Sequence, residues 1–435
     1  MSVKKKFFQY LVPSVSAMWF FSIYTMVDGM FVGRGVGDQA LAAVNLAMPF
    51  VNTVFAIALL IAVGASTWIT YYMGQGNTEK GNHLFSVTVF IVAGIGILIT
   101  SLSLYFLDPL VTFLGATEET YGYVKDYLGI VISFSTFFMV AYTLEVLVKA
   151  DGFPSLSITY VTLAAFINIV FDYLLVIRLG MGIKGAAYAT GLAQFLSCIA
   201  FLIHFIRQKG SLKFIKPVFL WSDIKGILRV GFPESLTELS IGFTTFAFNF
   251  VIIRWIGPHG IAAFGVLMYL NNLVMMTMIG INQGMQPLVS YFNGKNDQES
   301  IREITMLSFK TVLVFSLLFF FISQQLNEYV VRLFISPEHE TSYQLSVSAL
   351  KWFGFGFLVT GLNVFISGLM TALKQSQKAS TISFLRGYVL VVVVLLLIPG
   401  VLGSHAIWIA PVIYELMTLI IAGTMLFNMR RVGIL

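Results

Sequence analysis

Twelve runs of about twenty or more mostly apolar residues, separated by short polar breaks, dominate this chain of 435 residues. Segments of that length are too long for core strands, whereas the hydrocarbon core of a bilayer needs about 20 such residues to be crossed by a helix. Only 11% of the residues are charged and 58% are hydrophobic, so no polar stretch is long enough for a soluble catalytic domain. The expected fold class is all-α integral membrane, with twelve transmembrane helices. Clusters of Gly, Pro, Asn and charge place them near residues 8–33, 45–73, 84–107, 124–148, 155–177, 184–206, 228–255, 261–290, 305–334, 343–372, 380–401 and 404–428.

The N-terminus, "MSVKKKFFQYLVPSVSAMWFFSIYTMV", has a basic start and an apolar run. It lacks a small-residue cleavage site and is too long for a signal peptide, so it reads as an uncleaved first span. An even number of spans puts both termini on one side. Basic residues favour cytoplasmic segments. With the termini inside, 19 of the 26 Lys and Arg fall on cytoplasmic segments and helix ends, including Lys4–Lys6, the stretch from Arg207 to Arg229, and Arg430 and Arg431. The other side receives 7, together with the acids Glu118, Glu119, Glu338 and Glu340. The expectation is a multi-pass protein of the cell (inner) membrane with cytoplasmic termini. The net charge of +6 then reflects topology, and no nucleic-acid partner is expected. The single cysteine, Cys198, permits no intrachain disulfide.

The two halves repeat. Shifted by 220 positions, residues 13–74 align without gaps on 233–294. Pro13 meets Pro233, Arg34 meets Arg254, Gly37 meets Gly257, Gly64 meets Gly284 and Gly74 meets Gly294, among thirteen identities in sixty-two positions. Matched Pro and Gly carry most weight, because they set kinks and turns. The chain therefore divides into an N-terminal six-helix lobe, 1–216, and a C-terminal one, 217–435. With six spans each, both lobes sit the same way up and are related by an axis along the membrane normal. Two such bundles rocking about a central cleft make a secondary transporter.

Other chemistries find no support. There is no G-x-x-x-x-G-K-[ST] segment for ATP, and the five His at 83, 204, 259, 339 and 405 form no H-E-x-x-H zinc pair. "GRGVG" follows no strand, so it is not a dinucleotide fingerprint. The chain is expected to be no enzyme, to hold no metal or cofactor, and to act as a monomer on small organic solutes within the bilayer.

Several motifs carry a resemblance. "VDGMFVGRGVGDQALAAVNLAMP" in the first helix, "GASTWITYYMGQGN" after the second, "LEVLVKADGFP" after the fourth, "NIVFDYLLV" in the fifth and "MGIKGAAYATGLAQ" entering the sixth resemble the multidrug and toxic compound extrusion (MATE) family. "GFPESLTELSIGFTTFAFN" and "GIAAFGVLMYLNN" in the second half are similar as well. The resemblance spans essentially the whole chain. It implies twelve helices in two lobes and export of amphipathic, often cationic, organic compounds in exchange for protons or sodium ions. Some members carry a Glu in the middle of the seventh helix. Ile241 stands there in this chain, so the branch that relies on the first-helix Asp fits better. A related reading, a flippase for lipid-linked oligosaccharides, would want basic residues in the cleft to hold pyrophosphate, and few Lys or Arg lie within spans.

Polar residues inside a membrane are costly and are functional candidates by default. Asp28 lies roughly 7.5 Å inside the outer end of the first helix, at about 1.5 Å per residue, and its repeat partner is Phe248. It is either a hydrated helix-end residue or a coupling site. Asp172 lies in the outer part of the fifth helix, and if the helices pack as in the family, Asp28, Asp172 and Asn168 share an ion-coupling site. Glu145 and Lys149 are four apart, on one helix face, and read as a local ion pair at a gate or helix end. Glu415 in the twelfth helix is either functional or paired with Arg386. Gln194, Glu238, Asn249 and Gln283 complete the cleft or gate candidates, although most intramembrane amides serve as interhelical hydrogen bonds.

Overall fold

A computed structural model describes residues 2–431. Met1 and residues 432–435 lie outside it, as do the side chains of Asp38, Arg430 and Arg431, so the basic C-terminal pair counted above is not placed. Among the described residues all regular structure is helical. Eleven helices are long and apolar enough to cross a bilayer: Val3–Gly35, Gln39–Gly74, Thr78–Tyr105, Tyr121–Ala150, Pro154–Arg178, Gly182–Ile206, Trp221–Trp255, Pro258–Gly294, Gln298–Gln325, Ser376–Leu402 and Ser404–Met429. The tenth span is a bent pair, Glu340–Gly354 and Phe357–Ala372, which meet at 46°. Counting that pair as one gives the twelve spans expected from hydropathy.

The repeat continues well beyond the segment where identities reveal it. Left-handed residues recur at equivalent turns, Gly37 with Gly257 and Gly76 with Asn296. Asn77 accepts a hydrogen bond from the Lys80 N–H at the start of the third span, and Asp297 accepts one from the Ser300 N–H at the start of the ninth. Each cap satisfies an amide that the helix cannot. After those two spans the chain breaks at Phe106 and Leu326 and resumes as short helices, Leu107–Phe113 and Asn327–Arg332. The residue types have changed while the backbone demands have not, which is why the sequence suggested an uninterrupted ninth helix.

The chain packs as two compact units, one of Val12–Gly231 and one of residues 1–11 with 232–435. The first and seventh helices therefore each begin in one unit and continue in the other, with Pro13 and Pro233 just past the passage. The matched glycines explain how each helix start is held. A Cβ on Gly64 would collide with the Ile227 carbonyl oxygen, and one on Gly284 would meet the Leu11 Cα at 2.9 Å. Lipid-embedded helices associate through close van der Waals packing at small residues rather than through a hydrophobic force. In the first unit Ala58, Ala62 and Ala65 of the second span lie buried against Leu84, Leu144 and Phe201. A second cluster gathers Val32, Ala43, Leu128, Val176 and Ala186 around the far end of the first span.

Candidate functional site

In the first unit the first and fifth spans bring two acids together. The first span places Tyr24 and Asp28 one turn apart on a common face. The fifth span is α-helical from Pro154 to Asp172 and then widens into a π-turn from Tyr173 to Arg178, closed by the Leu179 N–H donating to the Leu174 carbonyl at 2.9 Å. Such turns often mark functional positions in helices. Asp28, Asn168 and Asp172 are all buried. The carboxyl groups of Asp28 and Asp172 are close enough for one, when protonated, to donate to the other.

The polar inventory of this cluster is one-sided. The Asn168 amide nitrogen donates to the Thr190 hydroxyl at 3.3 Å. Asn168 Oδ1, both oxygens of Asp172 and Oδ1 of Asp28 are buried and meet no donor. Tyr24 stands in the electrostatic reach of Asp28 and Tyr127 in that of both acids, and Gln194 is half-buried. A buried set of acceptors without donors is expensive, and a proton or a hard cation with oxygen affinity relieves that cost. Among the described residues no three His, Cys, Asp or Glu side chains cluster as a metal site.

Of the remaining sequence candidates in this unit, Glu145 and Lys149 form a 2.9 Å ion pair, with the Lys149 side chain 1% exposed. The Ser157 hydroxyl donates to the same Glu145 oxygen at 3.0 Å. In the second unit Glu415 accepts from Arg386 Nε at 2.8 and 3.0 Å, from the Thr360 hydroxyl at 3.1 Å and from the Asn363 amide at 2.7 Å. Its partner is thus the Arg386 weighed from the sequence. Glu238 is buried within electrostatic reach of Glu234, which accepts from the Gln286 amide at 2.6 Å. Gln283 is buried and Asn249 half-buried.

Sequence reasoning missed Tyr24, Tyr127 and Thr190, which look like any Tyr or Thr in a span. It also missed Asp151, which lies in the quoted "KADGFP" stretch. That carboxylate accepts from the backbone N–H groups of Ser211 and Leu212 at 2.7 and 2.8 Å and faces His204 Nε2 at 3.2 Å. It pins the segment after the sixth span to its own unit.

Comparison with known proteins adds sequence and fold relatives. The family model described as MatE matches residues 13–174 and 233–398. The multidrug export protein MepA of Staphylococcus aureus (strain MRSA252) is 22% identical over 91% of this chain and 87% of its own length. MepA of Staphylococcus haemolyticus (strain JCSC1435) is 24% identical over the same shares. Among solved structures, a MOP superfamily transporter from Pyrococcus furiosus superposes with a TM-score of 0.93 at 22% identity, covering 100% of this chain and 97% of that one. A Vibrio cholerae MATE transporter gives 0.91 at 18% identity, with 100% and 98% covered.

Proposed function

The chain belongs to the MatE family, and from that premise we propose that it is a secondary active antiporter exporting amphipathic, often cationic, organic compounds in exchange for protons or sodium ions. The observation that carries the reading is the buried Asp28–Asp172–Asn168 cluster with its unmatched acceptor oxygens. Nothing in a purely structural role requires two facing carboxylates without donors. A coupling ion supplies what is lacking: a proton bridges or neutralises the pair, and a sodium ion is ligated by the same oxygens.

The absence of a Glu at the middle of the seventh helix, where Ile241 stands, supports the branch that couples through the first-helix acid. The sequence repeat, with six spans in each half, supports rocking of two lobes about a central cleft. The lobe division, cytoplasmic termini, inner-membrane location and monomeric state expected from the sequence belong to the same proposal. Lys149 and Arg386, basic residues within spans, are each committed to an acid, which disfavours pyrophosphate binding by a flippase.

The test is accumulation of a fluorescent dye cation in proteoliposomes of the purified protein, under an imposed pH gradient, an imposed sodium gradient, or neither. Accumulation driven by one gradient identifies the ion. No gradient-driven accumulation with any dye of a diverse panel would overturn antiport.

A further inference from the structure

The short helices that follow the third and ninth spans, Leu107–Phe113 and Asn327–Arg332, divide their surface in the same way. Each follows an odd-numbered span, so each emerges on the side of the bilayer opposite the N-terminus. Under the 220-position shift, segments 106–114 and 326–334 share only Val111 with Val331. Both nevertheless present three distinct sides. One side faces the protein. Leu107, Leu110, Val111 and Leu114 belong to the cluster around Val32 and Leu128. In the other half Asn327 and Val331 are buried, and Phe334 stacks on Tyr269 at 4.7 Å.

A second side is polar and exposed, with Asp108 and Thr112 in one helix and Glu328 and Arg332 in the other. Asp108 accepts from the Tyr121 hydroxyl at 2.7 Å and pairs with Lys125. The third side is apolar and uncovered. It holds Phe106, Pro109 and Phe113 in the first half, and Leu326, Tyr329 and Leu333 at the equivalent places in the second. The spacing i, i+3, i+7 puts each trio on one helix face. Phe113 is 85% exposed, Tyr329 70% and Leu333 80%.

The apolar flank continues a line that the preceding span already turns to lipid. Leu98, Leu102 and Phe106 succeed one another by one turn, each more than half exposed. Leu318, Ile322 and Leu326 form the equivalent line on the ninth span, partly to well exposed. An apolar flank beside a polar one is the pattern of a helix lying in the membrane interface, where Tyr also collects. Helices this short would not hold to a bilayer alone, but the span before each delivers it there. A bilayer meets both halves alike, which accounts for a division that recurs while the residue types change.

We propose that these two helices are interfacial anchors, seated on the bilayer surface with the two apolar trios inserted at the boundary between phospholipid headgroups and acyl chains. The role is independent of ion coupling and of the compound carried. The test is electron paramagnetic resonance of single nitroxide labels in proteoliposomes of phosphatidylcholine and phosphatidylglycerol. Full-length protein carrying Cys198→Ala receives Phe113→Cys, Thr112→Cys, Leu333→Cys or Arg332→Cys, all at exposed positions. Access of each label to oxygen and to a water-soluble nickel chelate is measured by power saturation. At 113 and 333 oxygen access should dominate, at a depth of about 5–10 Å into the headgroup–acyl boundary. At 112 and 332 the chelate should dominate. Chelate access at 113 or 333 equal to that at its polar neighbour would overturn the proposal. So would low access to both reagents at 113 or 333, which marks a flank covered by protein, whether this chain or a second copy.

Discussion

In the first unit, Asp28 and Asp172 are buried with oxygens that meet no donor, whereas in the second unit Glu415 is buried with both oxygens doubly engaged. The two units share a helical plan, down to matched left-handed turns and helix breaks, yet these two sites treat buried charge oppositely. At the position where the first span carries Asp28, the seventh carries Phe248, stacked on Phe264 at 4.9 Å with an 11° interplanar angle. One half keeps an unanswered charge and the other replaces it with an aromatic stack. A carboxylate that must exchange an ion cannot be satisfied permanently by the protein. A carboxylate that holds helices together must be. The comparison therefore separates a site that changes state from one that does not.

The largest expected effect tests the unanswered pair. Asp28→Asn and Asp172→Asn, at equal protein level, should each reduce gradient-driven dye transport in proteoliposomes to the background of empty vesicles. Neither should lower the unfolding temperature, because each removes a buried charge that nothing neutralises. Transport at the parental rate would place both acids on the same structural footing as Glu415 and erase the contrast.

Glu415 should behave in the reverse manner. Glu415→Gln leaves the half-buried Arg386 without its counter-charge, which costs up to about 3–5 kcal/mol, the range for removing one partner of a buried pair. Replacing both, as Arg386→Met with Glu415→Gln, should restore most of that stability, since neutralised pairs are often tolerated. Denaturant unfolding in detergent reads both. A single variant as stable as the parent would mean the pair is not structural.

The matched glycines sharpen the comparison further. Gly64→Ala and Gly284→Ala should each destabilise by about 1–3 kcal/mol through overpacking. Gly64 should be the worse, because its new Cβ would approach the Ile227 carbonyl oxygen much more closely than one on Gly284 approaches the Leu11 backbone. Equal stabilities would show that the helix starts shift freely at these crossings.

The smallest effect lies at the paired caps. Asp297→Ala and Asn77→Ala should each cost about 1 kcal/mol at neutral pH. They part company in acid. The Ser300 backbone N–H and hydroxyl hold the Asp297 carboxyl below the usual carboxylate range. Its contribution is therefore complete above the unfolded-state pKa, about 3.9 for Asp, and is lost as pH falls through the depressed folded value. The Asn77 cap does not titrate. Unfolding temperatures measured from pH 5 downward should show the Asp297→Ala deficit vanishing while the Asn77→Ala deficit persists.

Span number and the two-fold repeat were legible in the sequence because they rest on length and composition, which a bilayer enforces locally. The acids stood out for the same reason, since any Asp or Glu in an apolar run is conspicuous. The i,i+4 spacing was enough to pair Glu145 with Lys149, because a single helix sets that distance. The roles of Tyr24, Tyr127 and Thr190 were not legible, since their neighbours come from other helices and nothing in their own segments distinguishes them. The interruption at Leu326 was missed although Gln324, Gln325, Asn327 and Glu328 flank it, because the apolar residues that resume from Tyr329 to Phe334 let the run from 305 to 334 read as one helix.

Sequence by itself determined that this chain is a helical membrane protein of twelve spans in two related halves, and that a few carboxylates within it needed explanation. The reason is that hydrophobic length and repeated Pro and Gly are properties of the covalent chain. Only tertiary structure decided which carboxylates go unanswered. Asp28 and Asp172 lie on different spans, as do Arg386 and Glu415, and whether a buried acid meets another acid or a guanidinium depends on how those helices pack. That packing brings together residues far apart along the chain, and no local pattern encodes it.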